Sequence, residues 1–482
     1  MYTKLFMLCT DLISNRPMDK SKQANASEGE DGVDLISNLP DHVLQLILSG
    51  IPSTEEVIRT SVLSTRWRHL WTSIPSIDID YTRGLDPDKE LESNGFKEFV
   101  YWVLLNKTLD LDSFRLWCAD YYNMSTIRRW IHAAVVRKVK LLDLMFSPID
   151  EPEDLEIPHC LVTCSCLEVL KLYLLGYHRL CLPKIPGFPA LRVLELNDVV
   201  LSDIYRRKGD LVKYFLESCP LLEDLSLLNC CTPSGSLVIA SPKLKNLRIE
   251  KQEMIPDPEV DDMLDCLGLE ISCPNLELLK LVGPVSFSFS FRNLNSLKKS
   301  MIHCTDFSLE SFCDVFDEIS NVEYLSISGC FVGQCYWPEK DEPVSLPNLK
   351  TLEITVDDPY GVYMLIPFPK CFPDLESLHL IFVKHVYGLN KWHLQEAEKI
   401  NILARCLKKV EFREFDDEKP ILVVARALLE HGNELEEMVF SWGDEAKFHE
   451  MSLETMNQVS NFRKVSSTVK LRFVINPSQA DL

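Results

Sequence analysis

The chain has 482 residues, with 50 Lys and Arg against 72 Asp and Glu, and a formal net charge of -22. That balance excludes a dedicated nucleic-acid binder, which needs a basic footprint, and a protein that docks on anionic lipid. No stretch approaches the ~20 apolar residues of a membrane helix, and the apolar start Met1–Cys9 is too brief for a secretory signal. Many of the 17 cysteines fall in register with a repeat described below. Cys164, Cys219 and Cys273 each precede an opening leucine by three residues, and Cys230 and Cys330 follow an opening position by eight. Small thiols suit buried repeat positions, so the cysteines read as reduced and the chain as intracellular, in cytoplasm or nucleus. None has the paired C-x-x-C spacing of a zinc site.

In chain order, residues 1–32 read as a disordered tail, since Ser21–Gly32 is polar, acidic and poor in apolar side chains. Residues 33–78 read as a helical module. Pro40 suits a first helical turn and Gly50 a C-terminal stop. Between them Val43, Leu44, Leu46, Ile47 and Leu48 cover most of the helix circumference, which predicts burial on all sides. Ser53-Thr54-Glu55-Glu56 reads as a capping box opening a second helix, and Ser64 as the cap of a third that carries Trp67, Leu70 and Trp71. A module of this size buries too little surface to hide two Trp and so many aliphatics, which implies an obligate partner surface.

Leu39-Pro40-Asp41, then Arg59-Thr60-Ser61-Val62-Leu63-Ser64, then Arg66-Trp67-Arg68-His69-Leu70-Trp71 closely resemble the F-box of plant F-box proteins. The resemblance implies a small helical bundle that docks on a Skp-like adaptor and, through it, a cullin ubiquitin ligase. Carried over by position, Leu39, Pro40, Val43, Leu44, Ile47, Leu48, Trp67 and Leu70 would form the adaptor contact and its supporting core.

Residues 79–110 read as a connector with a helix from Phe96 to Leu105 that seals the first repeat. From residue 111 an apolar-x-x-apolar-x-apolar pattern occurs thirteen times, at Leu111, Val139, Leu167, Leu191, Leu222, Leu244, Leu276, Leu297, Val322, Leu349, Leu375, Leu407 and Leu435. The steps run from 21 to 32 residues and average 27. Such a period predicts a leucine-rich horseshoe with one strand per repeat in a parallel sheet, over residues 111–395 and beyond. One copy is damaged, with Ser300 at an apolar position. The residue after each opening position is charged and alternates in sign, from Asp112, Lys140, Glu168 and Arg192 through to Lys408 and Glu436. On stacked strands about 4.8 Å apart this predicts a ladder of opposite charges.

Residues 396–445 resemble the FBD region found at the C-terminus of many plant F-box proteins. The matching residues are Cys406-Leu407-Lys408-Lys409-Val410-Glu411-Phe412, a helix from Ile421 to Leu429 stopped by Gly432, and Leu435-Glu436-Glu437-Met438. A closing strand is expected at Val469–Ile475, and 396–482 reads as the FBD region and C-terminal cap. The whole order is similar to plant F-box/LRR/FBD proteins: an all-α F-box bundle followed by an α/β solenoid.

No phosphate-binding glycine loop, nucleophile elbow or Cys/His array is present, so no catalytic residue, metal or cofactor is expected. The substrate surface should be the outward face of the sheet. Its middle row carries mixed charge, and Trp117, Tyr173, Tyr324, Ser326, Glu353 and His379 are the candidate substrate contacts. The resemblance implies a non-catalytic substrate receptor of a Skp–cullin–F-box ubiquitin ligase, holding a protein target. A hormone or small-molecule receptor on the same scaffold, and an adaptor-binding protein that does not lead to degradation, are the alternatives.

Overall fold

The structure is a computed structural model. It describes residues 36, 39–81, 93–148, 154–181, 187–201, 211–231, 236–251, 266–283, 286–304, 315–328, 346–356, 372–382, 406–414, 419–443 and 445–475. The expected tail, Cys330 and residues 396–405 lie outside them. The chain divides into two compact units, 1–222 and 223–482. Among the described residues no helix is long and apolar enough to cross a membrane.

The first unit begins with helices α1 (Asp41–Ser49), α2 (Thr54–Arg59) and α3 (Trp67–Leu70), the last two each continued by a 3-10 turn, Thr60–Val62 and Trp71–Ser73. Pro40 stands at the N-cap of α1, its carbonyl accepting from the Val43 and Leu44 amides at 3.0 and 3.2 Å. Its missing N–H costs nothing there. Arg66 ties the module's ends together, donating to Asp41 Oδ1 at 2.7 Å and to the Leu39 carbonyl. The two expected side-chain caps do not form. The Ser53 hydroxyl donates to Glu55 Oε2 at 2.6 Å rather than accepting from a backbone amide, and Arg66, not Ser64, precedes α3.

Strand β1 (Ser76–Asp80) follows immediately, so the sheet starts well before residue 111. Next come α4 (Ser93–Asn106), β2 (Ser113–Tyr122), α5 (Met124–Val136), β3 (Leu141–Pro148), β4 (Asp154–Glu156), α6 (His159–Val162), β5 (Val169–Cys181), β6 (Val193–Val200) and α7 (Leu211–Ser218). The strands pair in parallel in the order β1-β2-β3-β5-β6, with β4 beside the end of β5. Parallel pairing needs a crossover, which α4 supplies between β1 and β2 and α5 between β2 and β3. Each repeat points its leucines to the same side, so Ile77, Phe114, Leu142, Leu170 and Leu194 form one column, every member fully buried.

The second unit carries β7 (Asp224–Leu228), β8 (Ser236–Ala240), β9 (Asn246–Glu250), β10 (Cys266–Ser272), β11 (Leu278–Gly283), β12 (Ser286–Arg292), β13 (Lys299–Cys304), β14 (Tyr324–Ser328), β15 (Thr351–Val356), β16 (Ser377–Phe382), β17 (Lys409–Arg413), α8 (Lys419–His431), β18 (Glu437–Trp442), α9 (Glu445–Ser460) and β19 (Lys470–Ile475). Its main sheet runs β7-β9-β11-β13-β14-β15-β16-β17-β18-β19, all parallel. The return segments add a second parallel sheet, β12-β10-β8. Helix α8 spans two residues more at each end than the sequence indicates, and the Gly432 amide closes it onto Leu428 O at 2.8 Å. Each unit is therefore a leucine-rich solenoid.

The charge ladder is realised within each unit. Each charged member donates its amide to the carbonyl of the member before it, at 2.8 Å for Glu168 to Lys140 and 2.7 Å for Glu277 to Lys245, or, for Lys140, to Leu111 O at 3.3 Å. Members thus sit on adjacent strands from Asp112 to Arg192 and from Glu223 to Glu436. Ion pairs close at 2.8 Å for Lys140–Asp112, 3.2 Å for Lys245–Glu223, 3.1 Å for Lys298–Glu277 and 3.2 Å for Lys408–Glu376. Solvent screens such exposed pairs, so the ladder sets register more than stability. Ser300 occupies its apolar column fully buried between Leu279 and Leu325, its hydroxyl without a hydrogen-bond partner among the described residues. The in-register Cys164, Cys219, Cys230 and Cys273 are buried, and burial pushes the Cys219 thiol up to about 12.

Candidate functional site

Two surfaces carry the candidate residues. The first is the helical module of α1–α3. Leu44, Leu48, Trp67 and Leu70 are buried and form its core. Leu39 and Val43 are half-buried, and Pro40 and Ile47 are exposed. Around the latter lie Leu46, Val62 and Leu63, exposed by 76%, 59% and 65%. The expectation that α1 is buried on all sides is thus met only on the side facing this chain. Leu46, Val62 and Leu63 were legible as surplus apolar residues, but their position on the open side was not.

Lys107, just past α4, joins this module to the sheet. Its ammonium donates to the carbonyls of Trp71, Ile74 and Ser76 at 3.0, 2.9 and 3.1 Å and lies 5.5 Å from the Trp71 ring centroid. The residue is 6% exposed, and burial pushes its pKa down to about 7. The Asp78 amide donates to Thr54 Oγ1 at 2.8 Å, a second tie between module and β1.

The second surface is the outward face of the sheets. In the first unit Asp78, Arg115, Asp143, Lys171 and Glu195 stand side by side in register. Arg115 lies 3.3 Å from Asp78 and 3.6 Å from Asp143, and Lys171 lies 3.2 Å from Glu195. Trp117 and Tyr173 flank this row with ring centroids 5.7 Å apart. The Trp117 indole donates to Asp143 Oδ1 at 3.0 Å, Tyr173 donates to Glu195, and the Arg115 guanidinium sits 3.9 Å above the Trp117 ring. Burial raises the Asp143 carboxyl against the Trp117 hydrogen bond and the Arg115 charge. The two candidate aromatics are half-buried and already engaged with neighbours, which orients their rings before any partner arrives.

In the second unit Tyr324, Ser326, Glu353 and His379 come together, joined by residues the sequence reading did not single out. Glu353 accepts from Ser326 Oγ at 2.8 Å and from Arg413 Nη1 at 2.8 Å, and His379 Nδ1 lies 3.7 Å away. Arg413 also reaches Glu411, whose carboxylate is 3.8 Å from His379 Nε2, and the His303 ring is 2.8 Å from Ser326 Oγ. Lys299 Nζ stands 4.5 Å over the Tyr324 ring. Burial pushes the Glu353 carboxyl up, but contacts with His379 and Ser326 and the Arg413 charge outweigh it and hold it down at about 2. Ser326 and Glu353 are buried, while Tyr324 and His379 keep partial exposure. Arg413 and His303 occupy the position two residues beyond the middle row, a signal that the repeat register carries. Among the described residues no His, Cys, Asp or Glu side chains converge as a metal-ligand set.

Comparison with known proteins agrees with this organisation. Residues 36–78 match the F-box domain family, and residues 127–263 match the family described as FBD-associated F-box protein At5g56370, LRR repeats. An FBD-associated F-box protein of Arabidopsis thaliana is 28% identical over 87% of this chain and 91% of its own length. An F-box/FBD/LRR-repeat protein of the same plant is 28% identical over 92% of this chain and 97% of its own. A second F-box/FBD/LRR-repeat protein reaches 32% identity over 60% of this chain and 62% of its own.

Proposed function

Because the chain is a member of the F-box proteins with FBD-associated leucine-rich repeats, we propose that it is the substrate-recognition subunit of a Skp–cullin–F-box ubiquitin ligase. It makes and breaks no bonds itself. It holds a protein client near the transfer enzyme and so raises the client's effective concentration there. The observation that carries this reading is the open apolar side of the helical module. Leu46, Ile47, Val62 and Leu63 are exposed beside a well-packed core. Burying a large aliphatic side chain fully gains about 1.5–3 kcal/mol, so covering this patch with an adaptor is strongly favourable. Leu39, Pro40, Val43 and Ile47 would share the contact, while Leu44, Leu48, Trp67 and Leu70 hold the patch in shape. The outward sheet faces around Trp117 and Tyr173, and around Tyr324 and His379, are the client surfaces in this reading. Their mixed charge suits a folded protein rather than a phosphorylated or small anionic ligand.

Co-purification of the full chain with a Skp-like adaptor tests the proposal. Leu46→Asp with Leu63→Asp places charges on exposed positions, so the fold should hold while adaptor recovery falls at least ten-fold. Unchanged recovery would refute the adaptor site. Capture of clients in the presence of a proteasome inhibitor, with and without Tyr324→Ala and His379→Ala, then separates client binding from adaptor binding.

A further inference from the structure

The two terminal strands of the sheets differ in a way that points to a second docking surface. At β1 the inward-facing Ile77 and Ile79 are fully buried, because the helical module packs against that strand. At β19 the inward-facing residues are Leu471, Phe473 and Ile475, in register with Met438, Phe440 and Trp442. Met438, Phe440 and Trp442 are essentially inaccessible, whereas Leu471 and Phe473 are half-buried and Ile475 is 37% exposed. Helix α9 covers part of this end but, among the described residues, no strand lies beyond β19. The Lys470 amide donates to Glu436 O at 2.8 Å. By strand alternation, the N–H and C=O groups of Leu471 and Phe473 therefore point to the open side.

We propose that the open edge of β19 binds an extended segment of a partner protein as an added strand, with acidic residues facing Lys470 and Arg472 and apolar residues alternating with them. Three observations select this occupant. The facing charges alternate across the last strands. Glu437 lies 3.8 Å from Lys409 on one side and 2.8 Å from Arg472 on the other. The next strand must then be acidic to continue the pattern. The Phe412, Phe440 and Phe473 rings stack at 5.0 and 5.3 Å with interplanar angles of 15° and 10°, and the half-buried last ring offers its outer face to one more apolar side chain. Self-pairing of two β19 edges would set Lys470 and Arg472 against their own copies, a like-charge contact that disfavours a homodimer. Exposed basic side chains on an edge also discourage indiscriminate strand addition, so they act as the selector: main-chain hydrogen bonds supply affinity, and the side chains supply choice. This surface shares no residue with the helical module or with the clusters around Trp117 and His379.

The test uses the full chain and two labelled seven-residue probe peptides, one alternating Glu with Val and Phe, the other with Lys in place of Glu. The acidic probe should bind and slow hydrogen exchange at the Leu471 and Phe473 amides, and the basic probe should not. Lys470→Glu with Arg472→Glu changes only exposed positions and should reverse the preference, weakening the acidic probe about ten-fold and strengthening the basic one. Equal binding of both probes, no slowing of exchange by the acidic probe, or Leu471 and Phe473 amides already fully protected in the free chain would each overturn the proposal. Protection in the free chain would mean that another part of the same chain covers the edge.

Discussion

Replacing Lys107 by Met removes an ammonium from the junction between the helical module and the first strand while keeping the length of the stem. In the native chain burial depresses the Lys107 pKa from 10.5 to about 7. The unfolded chain therefore binds a proton that the folded chain has released throughout the interval between those two values. Stability then rises with pH across that interval, by up to ~1.4 kcal/mol per pH unit from this group alone. Below about pH 7 both states hold the proton and the contribution is flat. In Lys107→Met it is flat everywhere. Urea unfolding of both proteins at pH 7, 8 and 9, followed by tryptophan fluorescence, should show the native chain gaining on the variant by roughly 2 kcal/mol over those two units, since Lys107 has already lost about half its proton at pH 7. All other titrating groups, the cysteines included, are common to both proteins and cancel in the difference. The three carbonyls of Trp71, Ile74 and Ser76 use all three ammonium donors. Parallel curves for the two proteins would mean that these acceptors keep Lys107 charged despite its burial, and would refute the reasoning.

Ser300→Ala should raise stability by about 1 kcal/mol in denaturant titration, since it deletes a buried hydroxyl with no partner among the described residues; a loss of more than that would mean the hydroxyl is satisfied. Lys245→Glu sets three acids in a row, Glu223, residue 245 and Glu277, and should cost about 1 kcal/mol at low salt and less at high salt. A salt-independent loss of several kcal/mol would place the ladder in a dry environment, against the exposure of its members. Glu353→Gln should flatten the acid limb of stability. The Glu353 pKa is depressed from 4.5 to about 2, so its contribution is full above about pH 5, up to ~3 kcal/mol, and is lost as pH falls towards 2. An unchanged acid limb would show that Arg413 and His379 do not act on this carboxylate.

The repeat columns and the charge ladder were legible because every unit restates the same two constraints, apolar residues inward and alternating charge on the rim, and errors in one copy are corrected by its neighbours. Strand β1 was not. Ile74, Ile77 and Ile79 repeat the apolar spacing, but Pro75 stands where every other copy has a charge, and the stretch adjoins the motif that resembles an F-box, so it reads as the end of that module. The sheet of β8, β10 and β12 was hidden for a related reason: return segments vary in length, and a strand there has no fixed offset from the leucines. The outward clusters were half visible. Middle-row residues such as Glu353 and His379 follow from the register, but the reach of Arg413 back across two strands to Glu353 depends on a long side chain's rotamer. Ser53 failed as a cap because Glu55 is buried and takes its hydroxyl first.

Only Ile74 and Pro75 separate the last turn of the helical module from β1. Arg115 then bridges β1 to the neighbouring strand through Asp78, and the Tyr81 amide closes onto Trp117 O at 2.8 Å. The module is thus mounted on the first strands as a rigid bracket, with no swivel between them. Anything held farther along these strands has its distance from the bracket counted in whole strand spacings of about 4.8 Å. Lineages that gain or lose one repeat within this unit would shift whatever is held downstream by one such step, leaving the bracket and its contacts untouched.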